Sequence, residues 1–182
     1  QPQMTGGWFG LRDRLAEWGV TPSGRYATDL QANAAGGQRR GKAYAGDFAV
    51  DVSFDMEKLA GLKGLTVGVS GDWASGTNLS DDIGNIFTVA QTFEGRIVRL
   101  SNLYLQQSLF DGRLDVKAGR FATGADFLGS PAELSLVNDT LNPILDAVQK
   151  NVPSVTAPPN STWGGRVIAR PTEALSLWVG AF

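Results

Sequence analysis

Charged and amide side chains are confined to one parity of several segments of this chain. Asp47, Asp51 and Asp55 share one parity of a run whose other parity is aromatic and aliphatic, and Asp115 and Lys117 alternate with apolar residues further on. Such side chains make hydrogen bonds and ion pairs with each other or with polar solutes. The chain has no histidine and no cysteine, so it lacks the commonest general base, the commonest metal ligand and any thiolate. The pattern therefore favours binding over bond-making chemistry.

The acidic residues do not form a recognisable metal or catalytic motif. An extended strand spaces Asp47, Asp51 and Asp55 too widely for a calcium site, which needs a compact loop. Asp81 and Asp82 lie in a predicted loop, and a serine paired with either of them would still lack its histidine. We therefore expect no enzyme activity, no metal and no cofactor.

Composition removes further classes of protein. The 16 basic and 18 acidic residues give a net charge of -2, without the basic excess that nucleic-acid binding normally needs. The chain contains no apolar stretch long enough for a transmembrane helix and shows no signal peptide before Gln1, so it is expected to be mature or trimmed. Any membrane span would have to be built from strands, which need only about ten alternating residues.

Alternation of apolar and polar residues predicts seven strands. They begin near residues 25, 44, 65, 96, 114, 163 and 174. In the fourth run Val98 and Leu100 have the wrong parity, and a bulge near Ser101 would correct it. Before the strands, Trp8 to Trp18 has the apolar spacing of a short amphipathic helix, and Gly19 is a suitable C-cap.

The connections between these strands alternate in length, except that the first of the outer ones, residues 35–42, is only of moderate length. Residues 58–64, 110–113 and 171–173 are short connections, whereas 74–94 and 122–162 are long. An outer-membrane barrel has short turns on its periplasmic side and long loops outside. Tyr26, Tyr44 and Trp73 near predicted strand ends are typical of an aromatic girdle. The alternative is a soluble sandwich or lipocalin-like barrel, in which the apolar face would be the core.

Four motifs in order resemble the carbohydrate-selective porins of the OprB family. They are Gly6-Gly-Trp-Phe-Gly-Leu-Arg-Asp-Arg-Leu-Ala-Glu-Trp-Gly-Val20, Gly36-Gly-Gln-Arg-Arg-Gly41, Asp55-Met-Glu-Lys-Leu-Ala-Gly61 and Leu105-Gln-Gln-Ser-Leu-Phe-Asp-Gly-Arg-Leu114. Gly119-Arg-Phe121, Asp126-Phe127 and Trp163-Gly-Gly-Arg166 extend the match. The resemblance implies a sixteen-stranded outer-membrane barrel that admits glucose and other sugars by facilitated diffusion. The family often has acidic residues in the segment matched by Ser101 to Gln107, where this chain has Asn102 and Gln106.

The expected fold is thus all-β: an antiparallel transmembrane β-barrel, with about seven strands here as part of a sixteen-stranded barrel, and a short N-terminal helix. Residues 1–19 are expected to be a periplasmic helical segment, and residues 20–182 to hold strands 1–7 with long outer loops 74–94 and 122–162. Seven strands leave two open edges. The chain is therefore part of a longer porin, an eight-stranded barrel with a strand hidden in 122–162, or a partial chain completed by another.

The polar strand residues that alternate with the apolar ones are the predicted channel-lining and sugar-binding residues. These are Arg25, Asp29, Asp47, Asp51, Arg99, Asn102, Tyr104, Gln106, Asp115, Lys117, Arg166 and Arg170. Charged and amide groups would bond sugar hydroxyls, and Tyr104 would stack against a sugar ring. The expected partners are sugars such as glucose, outer-membrane lipid, and either further copies or the remaining strands of the same barrel. The alternative function is a small closed outer-membrane barrel with a structural or binding role and no transport. Residues 141–150 are predicted to form a short helix, in a loop that either narrows the channel or caps it.

Overall fold

The computed structural model of the chain describes residues 4–86, 88–90, 92–93, 95–128, 148, 151–152 and 154–182. Seven strands form one antiparallel sheet in which each strand pairs with its neighbours in sequence. The strands are β1 (Val20–Asn33), β2 (Gly41–Asp55), β3 (Leu65–Gly76), β4 (Ile97–Leu109), β5 (Leu114–Phe121), β6 (Thr162–Thr172) and β7 (Leu175–Ala181). All seven predicted strands are present, and β1 and β7 are the two edges of an open sheet.

Four short helices accompany the sheet. They are α1 (Leu11–Trp18), which follows a 3-10 turn at Trp8–Gly10, then α2 (Met56–Ala60), α3 (Ser80–Ile83) and α4 (Thr123–Phe127). The N-terminal helix and its glycine C-cap were predicted, and Gly19 has a φ of 94°. Within the described part of the chain, no helix is long and apolar enough to cross a bilayer. The helix predicted over 141–150 lies, apart from residue 148, outside the described residues.

The short helix α2 was missed because its first residue continues the alternation of the strand before it. Met56 has the parity of the apolar residues of β2 and would extend that strand by alternation, but it begins α2. Asp55 explains the change: its carboxylate accepts from the backbone N–H groups of Glu57 and Lys58, at 3.0 and 3.3 Å, and so caps the helix. Gly61 then ends it in the left-handed conformation, with a φ of 72°.

The predicted bulge in β4 is confirmed. Ser70 pairs with Asn102, but Gly71 pairs with Leu100, so Ser101 is the extra residue. This one insertion puts Val98 and Leu100 on the same side as the other apolar residues of the strand. It also turns Arg99 to the opposite side, where Asp72 is its cross-strand partner.

The sheet ends differ as the connection lengths predicted. The connections β2–β3, β4–β5 and β6–β7 are short and share one end of the sheet, which we call the short end. Helices α1 and α2 lie at this end, where Lys58 Nζ donates a 2.7 Å hydrogen bond to the carbonyl of Ala16. The connections β1–β2, β3–β4 and β5–β6 share the other end, which we call the long end after its last two connections; β1–β2, residues 34–40, is itself short. Strand β3 runs on to Gly76, so the β3–β4 connection covers 77–96 rather than 74–94.

Candidate channel lining

The two faces of the sheet differ in polarity, and the register of the strands fixes which residues share a face. One face, here called the polar face, carries the charged residues of the strands except two, and the other, here called the apolar face, carries Leu, Val, Phe, Tyr and Trp. The strand charges of the polar face are Arg25, Asp29, Asp47, Asp51, Asp55, Asp72, Arg99, Asp115, Lys117, Arg166 and Arg170. All the predicted site residues therefore lie on one face.

Burial is the reverse of that in a soluble protein. On the polar face Asp47, Asp115 and Arg166 are only 4%, 7% and 6% exposed, whereas Leu30 and Val98 on the apolar face are 83% and 77% exposed. The buried apolar residues of the strands are mainly alanines. Large apolar side chains thus cover the outside of the sheet and charged side chains are sheltered.

An ion-pair network joins three strands to α4. Arg166 on β6 contacts Asp115 on β5 at 2.5 Å through Nη1, and Asp126 on α4 at 2.9 Å through Nε. Lys117 Nζ lies 3.1 Å from the same Asp126 carboxylate, and Gln106 Nε2 donates to Asp115 at 2.8 Å. Both contacts from α4 reach residues of the polar face, so the start of the long β5–β6 connection folds over that face.

Tyr104 lies within this network rather than apart from it. The ammonium of Lys117 is 4.4 Å from the centre of its ring and 4.3 Å from that of Phe121. The Tyr104 ring covers Gly68 on β3, where a Cβ atom would lie 2.3 Å from the ring. The ring is therefore positioned by a glycine on one neighbouring strand and a lysine on the other.

A second group of charges lies across β1 to β4. Arg25 Nη2 contacts Asp47 at 2.6 Å, Ser70 Oγ donates to Asp51 at 2.5 Å, and Arg99 Nη1 donates to Asn160 at 2.6 Å. One buried carboxylate oxygen in each of Asp29, Asp47 and Asp72 has no hydrogen-bond partner among the described residues. Water or a polar solute is the usual donor to such oxygens.

Two of the predicted lining residues, Arg170 and Asn102, lie at the edges of these two groups of charges. Arg170 donates from Nη1 to the carbonyl of Gly112 at 3.1 Å, at the short end. Asn102 pairs with Ser70 beside the bulge. Both are on the predicted face.

The sequence did not identify Asp72 and Asp126 as members of these groups. Asp72 had the correct alternation in the third run, and its pairing with Arg99 depends on the bulge. Asp126 lies in a connection, where strand alternation gives no signal, and only its position in the family-like segment singled it out.

Replacing Gly68 by alanine should displace Tyr104. The new Cβ would overlap the ring, and overpacking of this kind costs about 1–3 kcal/mol. Gly71→Ala in the same strand is the matched control, since its nearest contact would be an ordinary 3.6 Å from the carbonyl of Arg99. Denaturant unfolding of both variants in lipid or detergent measures the difference, and equal stability of the two would contradict the placement of Tyr104.

Comparisons with known proteins agree with this arrangement. The family model described as carbohydrate-selective porin, OprB family, matches residues 39–182. Porin B of Pseudomonas aeruginosa is 37% identical over 139 residues, which are 71% of this chain and 31% of that protein. The high-pH structure of Pseudomonas putida OprB is similar with a TM-score of 0.88 and 30% identity, over 97% of this chain and 44% of that chain. The low-pH structure of the same porin is similar with a TM-score of 0.65 and 25% identity, over 98% of this chain and 50% of that chain.

The chain thus spans between about a third and a half of the length of these relatives. Its sheet is an open portion of an antiparallel transmembrane barrel of the kind seen in the solved porin. The sequence resemblance is confirmed over most of the chain, and with it the expected location. The chain belongs to the OprB family of carbohydrate-selective porins, which are outer-membrane proteins of Gram-negative bacteria.

Proposed function

We propose that the full-length protein is a porin through which sugars diffuse across the outer membrane, with the polar face of this sheet lining the channel. The observation that carries the proposal is the inverted burial, with Asp115 and Arg166 sheltered and Leu30 and Val98 exposed. A soluble monomer rarely exposes an apolar patch of this extent. Lipid is the solvent that such a face requires, and water in the lumen is what the opposite face requires.

The polar face offers hydrogen-bonding groups of both kinds to a passing sugar. Arg25, whose side chain is 61% exposed, is a donor, and the carboxylate of Asp51, an exposed residue, is an acceptor. A sugar hydroxyl donates and accepts, so a wall with both kinds of group can replace its hydration. Tyr104 presents its ring together with the Lys117 ammonium, and we propose that a sugar meets these two groups as a unit.

The remaining parts of the protein follow from the same proposal. Residues 1–19 and the short end face the periplasm, the long end faces outside, and residues 20–182 supply seven of sixteen strands. The solved porin supports this proportion, since the chain covers 44% of it. Helix α4 lies over the polar face and narrows the channel there. The protein makes and breaks no covalent bond, and its partners are sugars, lipid and the strands that close the barrel.

Reconstitution of the full-length protein in planar bilayers and liposomes tests the function. We expect ion conductance, concentration-dependent block of that current by glucose, and entry of small sugars in a liposome-swelling assay. A small closed barrel filled with side chains would give none of these, and stable insertion without conductance would reject the porin proposal.

Neutralising Arg99 should shift the ion selectivity of the channel towards cations and weaken sugar block. Asp72 lies opposite Arg99, so a glutamate there would place two carboxylates together, whereas Arg99→Gln keeps a donor for Asn160 and removes the charge. Reversal potentials in a salt gradient measure the shift. Arg14→Gln, an exposed position on α1, removes the same charge outside the polar face and should have no effect. Equal selectivity of Arg99→Gln and the parent channel would remove Arg99 from the lining.

A further inference from the structure

The apolar face carries only two charged residues within the seven strands, all of whose residues the structure describes. They are Lys42 on β2 and Arg120 on β5. Both are basic, and both lie at the long end, since Lys42 is the second residue of β2 and Arg120 the next to last of β5. Arg96 is exposed and lies directly before β4. It continues the parity of Val98 and Leu100, so we group it with Lys42 and Arg120. We call Lys42, Arg96 and Arg120 the basic rim.

The arginines of the basic rim are held through one nitrogen each. Arg96 Nε donates to the carbonyl of Gly76 at 3.0 Å, and Arg120 Nε donates to Ser161 Oγ at 2.8 Å. Arg120 pairs with Trp163 across the sheet, and Ser161 lies two residues before Trp163, just outside the long end of β6. The Arg120 side chain therefore extends from the apolar face towards the long end, as basic side chains do when they reach from the membrane interior to its surface. The terminal nitrogens of both guanidinium groups make no hydrogen bond with the part of the chain that the structure describes.

Aromatic residues lie next to the basic rim on the same face. Tyr44, Trp73 and Trp163 are close to the long ends of their strands, with 38%, 59% and 61% of their surface exposed. Tyrosine and tryptophan at such positions mark the boundary between hydrocarbon and headgroups. The basic rim is thus at the depth where lipid phosphates lie.

We infer that the residues of the basic rim bind the phosphate groups of anionic lipids in the outer leaflet of the membrane, each lipid meeting one or two of them. Guanidinium groups form paired hydrogen bonds with phosphate oxygens, and the apolar face directly below accepts the acyl chains. Charge complementarity singles out this occupant, because the strands place no carboxylate on the apolar face. Within the strands, the apolar face carries no charged residue at the short end, where Gln107 is its most polar residue. The inference rests on the proposed function only in assigning the long end to the outside.

The test compares lipid binding by the full-length protein and a triple variant, Lys42→Gln, Arg96→Gln and Arg120→Gln. The probe is lipid A with two phosphates, titrated onto detergent-solubilised protein and followed by native mass spectrometry. The register spreads the three residues along the rim, so one lipid meets one or two of them; at about 1 kcal/mol for each basic residue near an anionic surface, the triple variant should bind about 5- to 30-fold more weakly. Lys63→Gln, Arg113→Gln and Arg14→Gln, three exposed basic residues at the short end, form the control variant and should bind like the parent.

Three further measurements separate the outcomes. Dephosphorylated lipid A should bind weakly to all proteins, and inorganic phosphate should not compete at concentrations comparable to the lipid. Equal binding by the parent and the triple variant, or full competition by inorganic phosphate, would overturn the inference. Conductance and sugar block should be unchanged in the triple variant, because the basic rim lies on the opposite face from the lining. A protein that binds lipid A through this rim but conducts no sugar would reject the proposed function and leave the lipid site standing.

Discussion

Replacing Leu105 by arginine should destabilise the protein by about 2–4 kcal/mol, the cost of a basic residue deep on the lipid face of a barrel. Leu105 lies inside β4 on the apolar face, 53% exposed, between Val67 and Ala118 on the neighbouring strands. If Leu105 faced water instead, replacing it by a charged residue would change the free energy of unfolding by no more than about 0.5 kcal/mol. The two environments therefore predict clearly different results from the same substitution.

Reversible urea unfolding of the full-length protein in lipid vesicles measures this effect. Asn102→Arg is the matched control, since Asn102 lies three residues away on the polar face and its longer side chain would reach water in the channel. We expect Leu105→Arg to lose most of the folded fraction at denaturant concentrations that Asn102→Arg survives. The opposite order would mean that the polar face, not the apolar face, meets lipid.

Removing the Arg166 side chain should cost about 3–5 kcal/mol, the usual effect of breaking a buried ion pair from one side. Arg166 pairs with both Asp115 and Asp126, and all three side chains are largely buried. In Arg166→Met both carboxylates lose this partner, and Asp126 keeps Lys117 as its one ion-pair partner among the described residues. The attachment of α4 to the polar face should then weaken, since Arg166 supplies two of the ion pairs of this network.

Unfolding midpoints and channel conductance together check this prediction. Arg170→Met is the control, because Arg170 contacts only a backbone carbonyl among its described partners and should lose much less stability. Adding Asp115→Asn and Asp126→Asn to Arg166→Met should recover part of the loss, since neutral amides do not repel each other. Unchanged stability and conductance in Arg166→Met would show that the network does not hold α4.

Local sequence signals predicted the strands because each acts over a few residues. Alternation fixes the two faces of a strand wherever it is regular, as in β2 and β5, and the parity change in β4 located the bulge at Ser101. Signals at the strand ends were less informative. Tyr26 was expected near a strand end, but β1 begins at Val20, so Tyr26 lies within the strand, where its hydroxyl bonds that of Tyr44 at 2.5 Å. Proline and glycine at positions 22 and 24 concealed the first residues of β1.

The sequence by itself determined the face on which each strand residue lies and the alternation of short and long connections, because both depend on neighbours in the chain. Only the tertiary structure decided which polar residues meet. The 2.9 Å contact between Asp126 and Arg166 joins residues 40 apart, and the contact between Arg99 and Asn160 joins residues 61 apart. Strand register and the path of α4 bring these groups together, and both depend on the packing of the whole sheet. Parity assigned Tyr104 to the lining, but the fold placed Lys117 against its ring, because no local rule relates residues on paired strands before the register is known.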